Sequence, residues 1–339
     1  MKKVTIVVPV YNVEQYIRKC LDSLLKQESD EYEVLVVNDG SPANEQVIID
    51  EYVKKHPVIK SLVKENGGYG SVLEKAISLI ETPYMLVCDP DDYLYPDTVK
   101  TLVDMLESTD SDIAIGAKTL VYADNEEEVY DRSFNDAYAS VTDGKVYNSN
   151  DPDFDDLYFI DPSPHSKLYR LSLLKEIEFP HKVSFTDNIL YFSALNRSSK
   201  VVYTSKPLAY YLINREGNTM TDIKLTAIDA ERKVLCSLIK QNEGKRGIFY
   251  YRMFEAYKYL INEKVRRCQG SNEEVKERIA SLYEVIEELL PYREDVLKYY
   301  KKYHKYPFIE AWRDRKLLDP TKSKKAYEKI VDKQMEGRK

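Results

Sequence analysis

The sequence predicts an α/β protein in which a mostly parallel sheet is followed by an all-helical C-terminal region. Three observations lead there. Over the first 120 residues, runs of β-branched residues alternate with helical stripes of about ten residues, as βαβ units do. Amides and carboxylates follow those runs directly, where parallel sheets bind ligands beyond the carboxyl ends of their strands. From about Lys224 onward the apolar residues recur only at helical spacing.

The elements follow in order. Val4 to Val10 (VTIVVPV) is a continuous apolar run, expected of a strand buried on both faces. Between Glu14 and Lys26, residues Ile17, Leu21, Leu24 and Leu25 form one helical stripe. Tyr32 to Asp39 reads as a second buried strand, stopped by Gly40-Ser41-Pro42, and residues 45–55 as a helix. Val58 to Val63 is a third strand. Gly67-Gly68-Tyr69-Gly70 then turns into a helix from about Ser71 to Ile80, and Tyr84 to Cys88 is a fourth strand ending in Asp89-Pro90-Asp91-Asp92.

Residues 124–161 carry 12 acidic and 2 basic side chains and few apolar runs, so they read as an excursion of short strands or a loop over the site. Ser166 to Ile177 has a helix-like pattern. Phe185-Thr186-Asp187-Asn188 opens a helix to about Leu195, and Val201 to Tyr203 and Leu208 to Ile213 read as late strands. In the C-terminal region, Ser271-Asn272-Glu273-Glu274 fits a capping box, and Pro291 ends or kinks the helix that it starts.

Composition narrows the class. The chain has 339 residues, a hydrophobic fraction of 43% and a formal net charge of −7, which excludes a wholly disordered chain. No run approaches the roughly 18–20 apolar residues of a membrane span. The N-terminal apolar run stops at Pro9, short of a signal-peptide core of roughly 7–15 residues. Cys20, Cys88, Cys236 and Cys268 are too scattered for a disulfide framework or a zinc site. A reducing cytoplasm is the expected location.

The net charge hides a split. Residues 1–230 carry 23 basic and 39 acidic groups, whereas residues 231–339 carry 27 and 18. The basic part either is a solvated helical surface or faces an anionic partner. The acidic body opposes nucleic-acid binding, and none is expected.

The strongest chemical signal is Asp89-x-Asp91-Asp92 after a buried strand. Hard cations such as Mg²⁺ or Mn²⁺ prefer carboxylate oxygens and commonly bridge them to phosphates. Turn formation and capping of the helix containing Val99 to Leu106 are the competing roles for the same aspartates.

Taken in order, VTIVVPVYNVEQYIRKCLDSLLKQ, VVNDGSP, KENGGYGS and VCDPDDYLYPD resemble the family 2 glycosyltransferases, inverting enzymes with the Rossmann-like GT-A fold. The resemblance covers roughly residues 1–220, and its ENGGYGS segment is similar to bacterial enzymes of surface polysaccharide synthesis. It implies a catalytic domain of residues 1–222, with a nucleotide-sugar half (1–120) and an acceptor half (121–222), before a helical region of residues 223–339.

Residue by residue, the resemblance implies that Pro9, Tyr11 and Asn12 lie along the nucleotide and that Asp39 accepts a hydrogen bond from the uracil N–H. Asn66, Gly67 and Gly68 line the base and ribose side. Asp89 faces the ribose and the metal, Asp91 coordinates the cation (Mn²⁺ or Mg²⁺), and Asp92 lies near the sugar. His165 and Lys167 of PHSKLYRLSLL fall in the acceptor region, where His165 either shapes the site or merely packs. Asp187 matches the family's Glu-Asp motif as the catalytic base, with Thr186 in place of the usual glutamate, an N-cap being its plainer role. Arg215, after the late strand, is the candidate partner of the diphosphate. Where many relatives carry Ala-Arg-Asn, this chain has Val72-Leu73-Glu74.

The implied reaction moves a hexose or N-acetylhexosamine from a UDP-sugar to a hydroxyl of a glycan or lipid-linked acceptor. The competing expectation is a non-catalytic UDP-sugar-binding scaffold. For residues 223–339, which hold many lysines and tyrosines, the readings are peripheral contact with the membrane's inner face, homo-oligomerisation, or a groove for an anionic polymer.

Overall fold

The computed structural model describes residues 1–215, 225–303 and 308–336. The chain divides into two compact units, Met1–Lys182 with Thr186–Asn218, and Val183–Phe185 with Thr219–Lys339. The boundary expected at residue 222 lies outside the described residues.

The first unit is built on one sheet. Strand β1 (Val4–Val10) is buried along its whole length, which its unbroken apolar sequence requires. It pairs in parallel with β2 (Tyr32–Asn38) and β4 (Tyr84–Val87), and β3 (Ile59–Val63) extends the sheet beyond β2. Helices α1 (Glu14–Leu24), α2 (Glu45–Lys55) and α3 (Tyr69–Leu79) provide the crossovers. Ile17, Leu21 and Leu24 of α1 are fully buried in the same core as Val34, Val36 and Leu86, so the expected stripe is the packing face. In register, Val10 lies opposite Asn38 and Val7 opposite Val87. Asn12, Asp39 and Asp89 therefore leave the sheet at one edge.

The remaining strands are β5 (Tyr93–Leu94), β6 (Ile113–Tyr122), β7 (Glu128–Asp131), β8 (Val146–Asn148), β9 (Lys167–Arg170) and β10 (Lys200–Ile213). The sheet order is β3-β2-β1-β4-β9-β6-β10-β5, with β7 on β6 and β8 on β10. Helix α4 (Thr98–Thr109) precedes β6, and α5 (Asp187–Arg197) precedes β10.

Two expectations change. The helix-like segment Ser166 to Ile177 is instead β9 followed by a short 3₁₀ turn at Leu171–Leu173. Its Leu168 and Tyr169 are completely buried because β9 runs antiparallel between β4 and β6, so apolar residues on both faces imitated a helical stripe. The two late strands are one, β10, whose pairing with β6 shifts register between Thr204 and Ala209 around Pro207. The acidic excursion contains β7, β8 and a 3₁₀ helix at Pro152–Phe159.

The described part of the second unit beyond residue 224 is helical. Helices span Leu225–Gln241, Gly247–Tyr259, Asn272–Ser281, Tyr283–Leu289, Arg293–Tyr303, Phe308–Leu317 and Ser323–Glu336, and a π turn at Leu260–Lys264 continues the second into Val265–Arg267. The capping box forms: the Ser271 hydroxyl accepts from Glu274 N, and Glu274 accepts from Ser271 N. Pro291 falls in a 3₁₀ turn, Leu290–Tyr292. Tyr250, Tyr251, Tyr257, Tyr300 and Tyr327 are buried, and Tyr250 stacks on Tyr292 at 3.7 Å. These rings are core. Among the described residues no helix is long and apolar enough to cross a membrane.

Candidate active site

The loop after β1 begins with Pro9 inside the strand and puts Tyr11, half exposed, and Asn12 beyond it. Asn12 adopts φ +56°, a left-handed conformation that asparagine tolerates better than most residues, and its N–H donates to Ser41 Oγ at 2.9 Å. Across the edge, Asp39 is buried. Its carboxylate accepts from Lys64 Nζ (2.5 Å), Gly67 N (3.0 Å) and Gly68 N (2.7 Å). Asp39 thus braces the glycine turn against the end of β2. Gly68 has φ +82°, and a Cβ at Gly67 would lie 2.4 Å from Ser71 Oγ, so both glycines are needed for this turn. Asn66 is exposed beside it.

Beyond β4, the acidic motif splits into two arrangements. Asp91 forms an ion pair with Arg215, whose guanidinium also lies 5.3 Å from the Tyr16 ring. Asp92 is buried. Its Oδ1 accepts from Leu212 N at 2.7 Å, and its Oδ2 lies 2.5 Å from His165 Nε2. Asp89 accepts from the Tyr69 hydroxyl at 2.8 Å. Asp89, Asp92 and His165 can each turn one ligand atom to within 4.8 Å of the others. Of the two carboxylates expected at the metal, Asp89 joins this cluster and Asp91 turns to Arg215. His165, expected in the acceptor region, sits against Asp92.

The electrostatics of the cluster fit a cation. Burial, opposed by His165 and reinforced by the neighbouring aspartates, raises Asp89 to about 7. Burial and the charge of Asp91 raise Asp92 well above the usual carboxylate range. Burial and nearby Lys118 lower His165 to about 4, so it is neutral. His165 Nδ1 is buried with no hydrogen-bond partner among the described residues. Two desolvated carboxylates and a neutral imidazole make a donor set for a hard or borderline divalent ion.

Asp187 is the first residue of α5 and is half-buried. Desolvation, then the negative charge of Asp161, raises it to about 6. Phe185 before it has φ +67°, and Asn214 before Arg215 has φ +59°; such backbone conformations concentrate at functional sites. Thr186 is buried, and its hydroxyl has no partner among the described residues. Lys167, completely buried, donates to Ser163 O at 2.5 Å and to His165 O at 3.4 Å. Burial lowers its ammonium to about 7.

Three residues of this constellation were not singled out in the sequence. Tyr69 looked like part of a turn, yet as the first residue of α3 it reaches Asp89. Tyr211 stacks on His165 at 4.3 Å. Lys118, in an apolar run of β6, is buried against Asp161. Tyr69, inside the ENGGYGS segment, and Tyr211, in the late strand before Arg215, had a neighbouring signal, whereas Lys118 had none.

Comparison with known proteins identifies the family and the fold. The Glycosyl transferase family 2 profile matches residues 5–178. Glycosyltransferase GlyA of Streptococcus pneumoniae is 33% identical over 222 residues, which are 63% of this chain and 31% of GlyA. The uncharacterized glycosyltransferase MG025 homolog of Mycoplasma pneumoniae is 30% identical over 256 residues, 73% of this chain and 79% of that protein. The chain thus spans under a third of GlyA and most of the Mycoplasma protein. The crystal structure of Staphylococcus aureus TarS 1–349 in complex with UDP-GlcNAc superposes with a TM-score of 0.72 at 22% identity, over 99% of this chain and 90% of that one. The fold is therefore GT-A-like, including a helical C-terminal region. With the profile covering half of the sequence and the acidic motif standing at the carboxyl edge of its sheet, the chain belongs to Glycosyl transferase family 2.

Proposed function

We propose that the protein transfers a hexose or N-acetylhexosamine from a UDP-sugar to a hydroxyl of a cell-surface glycan or its lipid-linked precursor, with inversion at the anomeric carbon. The observation that carries this reading is the pairing of a poised carboxylate, Asp187, with the Asp89–Asp92–His165 cluster at the edge where family members handle nucleotide sugars. The TarS complex with UDP-GlcNAc supports a UDP-linked donor. TarS is named a poly(ribitol-phosphate) beta-N-acetylglucosaminyltransferase, which supports a surface polymer as the acceptor.

In the proposed reaction the acceptor hydroxyl oxygen bonds to the anomeric carbon as the carbon–oxygen bond to the diphosphate breaks on the opposite face. Asp187 takes the hydroxyl proton, and UDP leaves with the bonding electron pair. Asp89, Asp92 and His165 would hold a divalent cation, Mn²⁺ or Mg²⁺, which would supply Lewis-acid stabilisation of the diphosphate charge. Arg215 holds Asp91 and stands ready to exchange that partner for a phosphate oxygen. Tyr11, Asn12 and the Asn66–Gly68 turn flank the nucleotide. Asp39 acts through the turn it braces, and its Oδ2 retains a lone pair for the base N–H.

The test is UDP release from a panel of UDP-sugars with Mn²⁺ or Mg²⁺ and surface-polymer acceptors, paired with thermal shift for each donor. Release above background supports transfer. Stabilisation by a UDP-sugar with no release in any combination would instead favour the binding-scaffold reading. The basic helical region is the proposed contact with the anionic inner face of the cell membrane.

A further inference from the structure

Asp161 and Lys118 form an unevenly buried ion pair. Lys118 of β6 is 1% exposed, and its ammonium meets Asp161 Oδ2, Ser163 Oγ at 3.1 Å and, more distantly, Asp131 at 3.8 Å. The Asp161 side chain is 39% exposed. A buried cation thus holds a carboxylate that is itself partly exposed.

The carboxylate is also fixed in place by its backbone. Asp161 N donates to Ser133 O at 2.6 Å, and Ile160 bridges Phe134. Oδ2 takes Lys118 and the Ser163 hydroxyl, while Oδ1 takes Ser163 N at 3.1 Å. An ionised carboxylate has about four lone-pair sites, so Oδ1 keeps one. Burial works to protonate Asp161, but Lys118, Lys167 and the Ser163 N–H overrule it and hold it well below the ordinary range. It is a permanent, acceptor-only group.

Its neighbours place it beside the reacting centre. Lys118 Nζ lies 5.4 Å from the centre of the Tyr211 ring, which stacks on His165 of the cation cluster. Lys167, bonded to Ser163 O, lies 5.4 Å from the Tyr191 ring of α5, the helix that starts with Asp187. We propose that Asp161 is an acceptor-positioning residue that receives a second hydroxyl of the acceptor, next to the one Asp187 deprotonates. The acceptor at this site is therefore a polyhydroxy compound presenting at least two neighbouring free hydroxyls, and a phosphate group is repelled from the second position. This rests on the reading of Asp187 as base.

A matched pair of small acceptors tests it on the full chain. With UDP-GlcNAc and Mn²⁺, transfer to glycerol and to 1-propanol is followed as glycoside formed. The wild type should favour glycerol on the order of tenfold or more, the worth of a hydrogen bond to a charged group. Asp161→Asn should abolish that preference by raising the glycerol KM, and Asp161→Glu should restore part of it. Equal use of the two alcohols by the wild type, or a preference that survives Asp161→Asn, overturns the proposal. So does a variant whose defect lies in the KM for UDP-GlcNAc with the glycerol KM unmoved, since the carboxylate would then face the donor. Because Asp161→Asn leaves Lys118 buried, UDP-induced thermal stabilisation confirms that the variant is folded, and Ser163→Ala supplies an independent loosening of the same carboxylate. Full transfer by Asp187→Asn is a separate result that defeats the base assignment itself.

Discussion

Asp187 stands between two tasks: it must be ionised to take a proton, yet its surroundings favour the neutral form. With its pKa at about 6, kcat/KM should fall as pH drops through 6, because the protonated carboxyl has no free charge to accept the acceptor's proton. Above 6 the limb should be flat until another group titrates. Asp187→Asn should lower kcat by about 10²–10⁴ while a UDP-sugar still raises the melting temperature. A variant with wild-type turnover would remove Asp187 from the chemistry. The cation cluster gives a second prediction. Asp89→Asn and Asp92→Asn should raise the Mn²⁺ concentration needed for half-maximal activity, and EDTA should abolish wild-type activity. Asp91→Asn, which removes the ion pair with Arg215, should change that midpoint less. If Asp91→Asn has the largest effect of the three, Asp91 rather than Asp92 is the cation ligand.

At the scale of elements, α3 is seated by the closeness of its glycine to a neighbouring segment. A Cβ on Gly70 would lie 2.9 Å from Pro180 O, 3.0 Å from Phe179 Cβ and 3.2 Å from Thr186 Cγ2. Backbone cannot yield cheaply there, so Gly70→Ala should cost about 1–3 kcal/mol of stability, measured by urea denaturation. It should also weaken UDP-sugar binding, because Tyr69 and the Gly67–Gly68 turn are anchored by the same helix start. A Gly70→Ala protein as stable as the wild type would show that this packing is loose. The elements also show how far sequence reading reaches. The βαβ strands were legible because β1 and β4 are apolar on both faces and β2 nearly so, each ending in polar turn residues at the sheet's edge. Strand β9 was not, since Lys167, Leu168 and Tyr169 are all buried by two strands, β4 and β6, that lie far before it in the chain. No local pattern separates such a four-residue strand from one turn of helix.

For the whole molecule, the charge split remains after the structure is known, but five of the C-terminal tyrosines are taken up by the interior. Tyr250, Tyr251, Tyr257, Tyr300 and Tyr327 lie in the helical core. What remains exposed includes Lys324, Lys325, Lys329 and Lys333 on the helix Ser323–Glu336. If this region meets the anionic membrane face, the full chain should float with phosphatidylglycerol-containing vesicles at low salt and not with neutral ones. Changing these four lysines to glutamate should reduce binding by about tenfold or more. Equal flotation of the variant would exclude this helix as the contact.

By itself the sequence determined the alternation of buried strands and amphipathic helices, the family, and most of the residues at the sheet's carboxyl edge. Those features are local: they depend on side-chain periodicity and on motifs a few residues long. Only the tertiary structure decided which carboxylates lie together. Asp91 and Asp92 are adjacent in the chain, yet one meets Arg215 and the other His165, because neighbouring side chains leave a tight turn in different directions. Tyr69 and Asp89 were brought together from different segments, as were Lys118 and Asp161. Each pair depends on strand order and burial, and the strength of a charge in this site is set by the solvent it has lost and the partners that replace it.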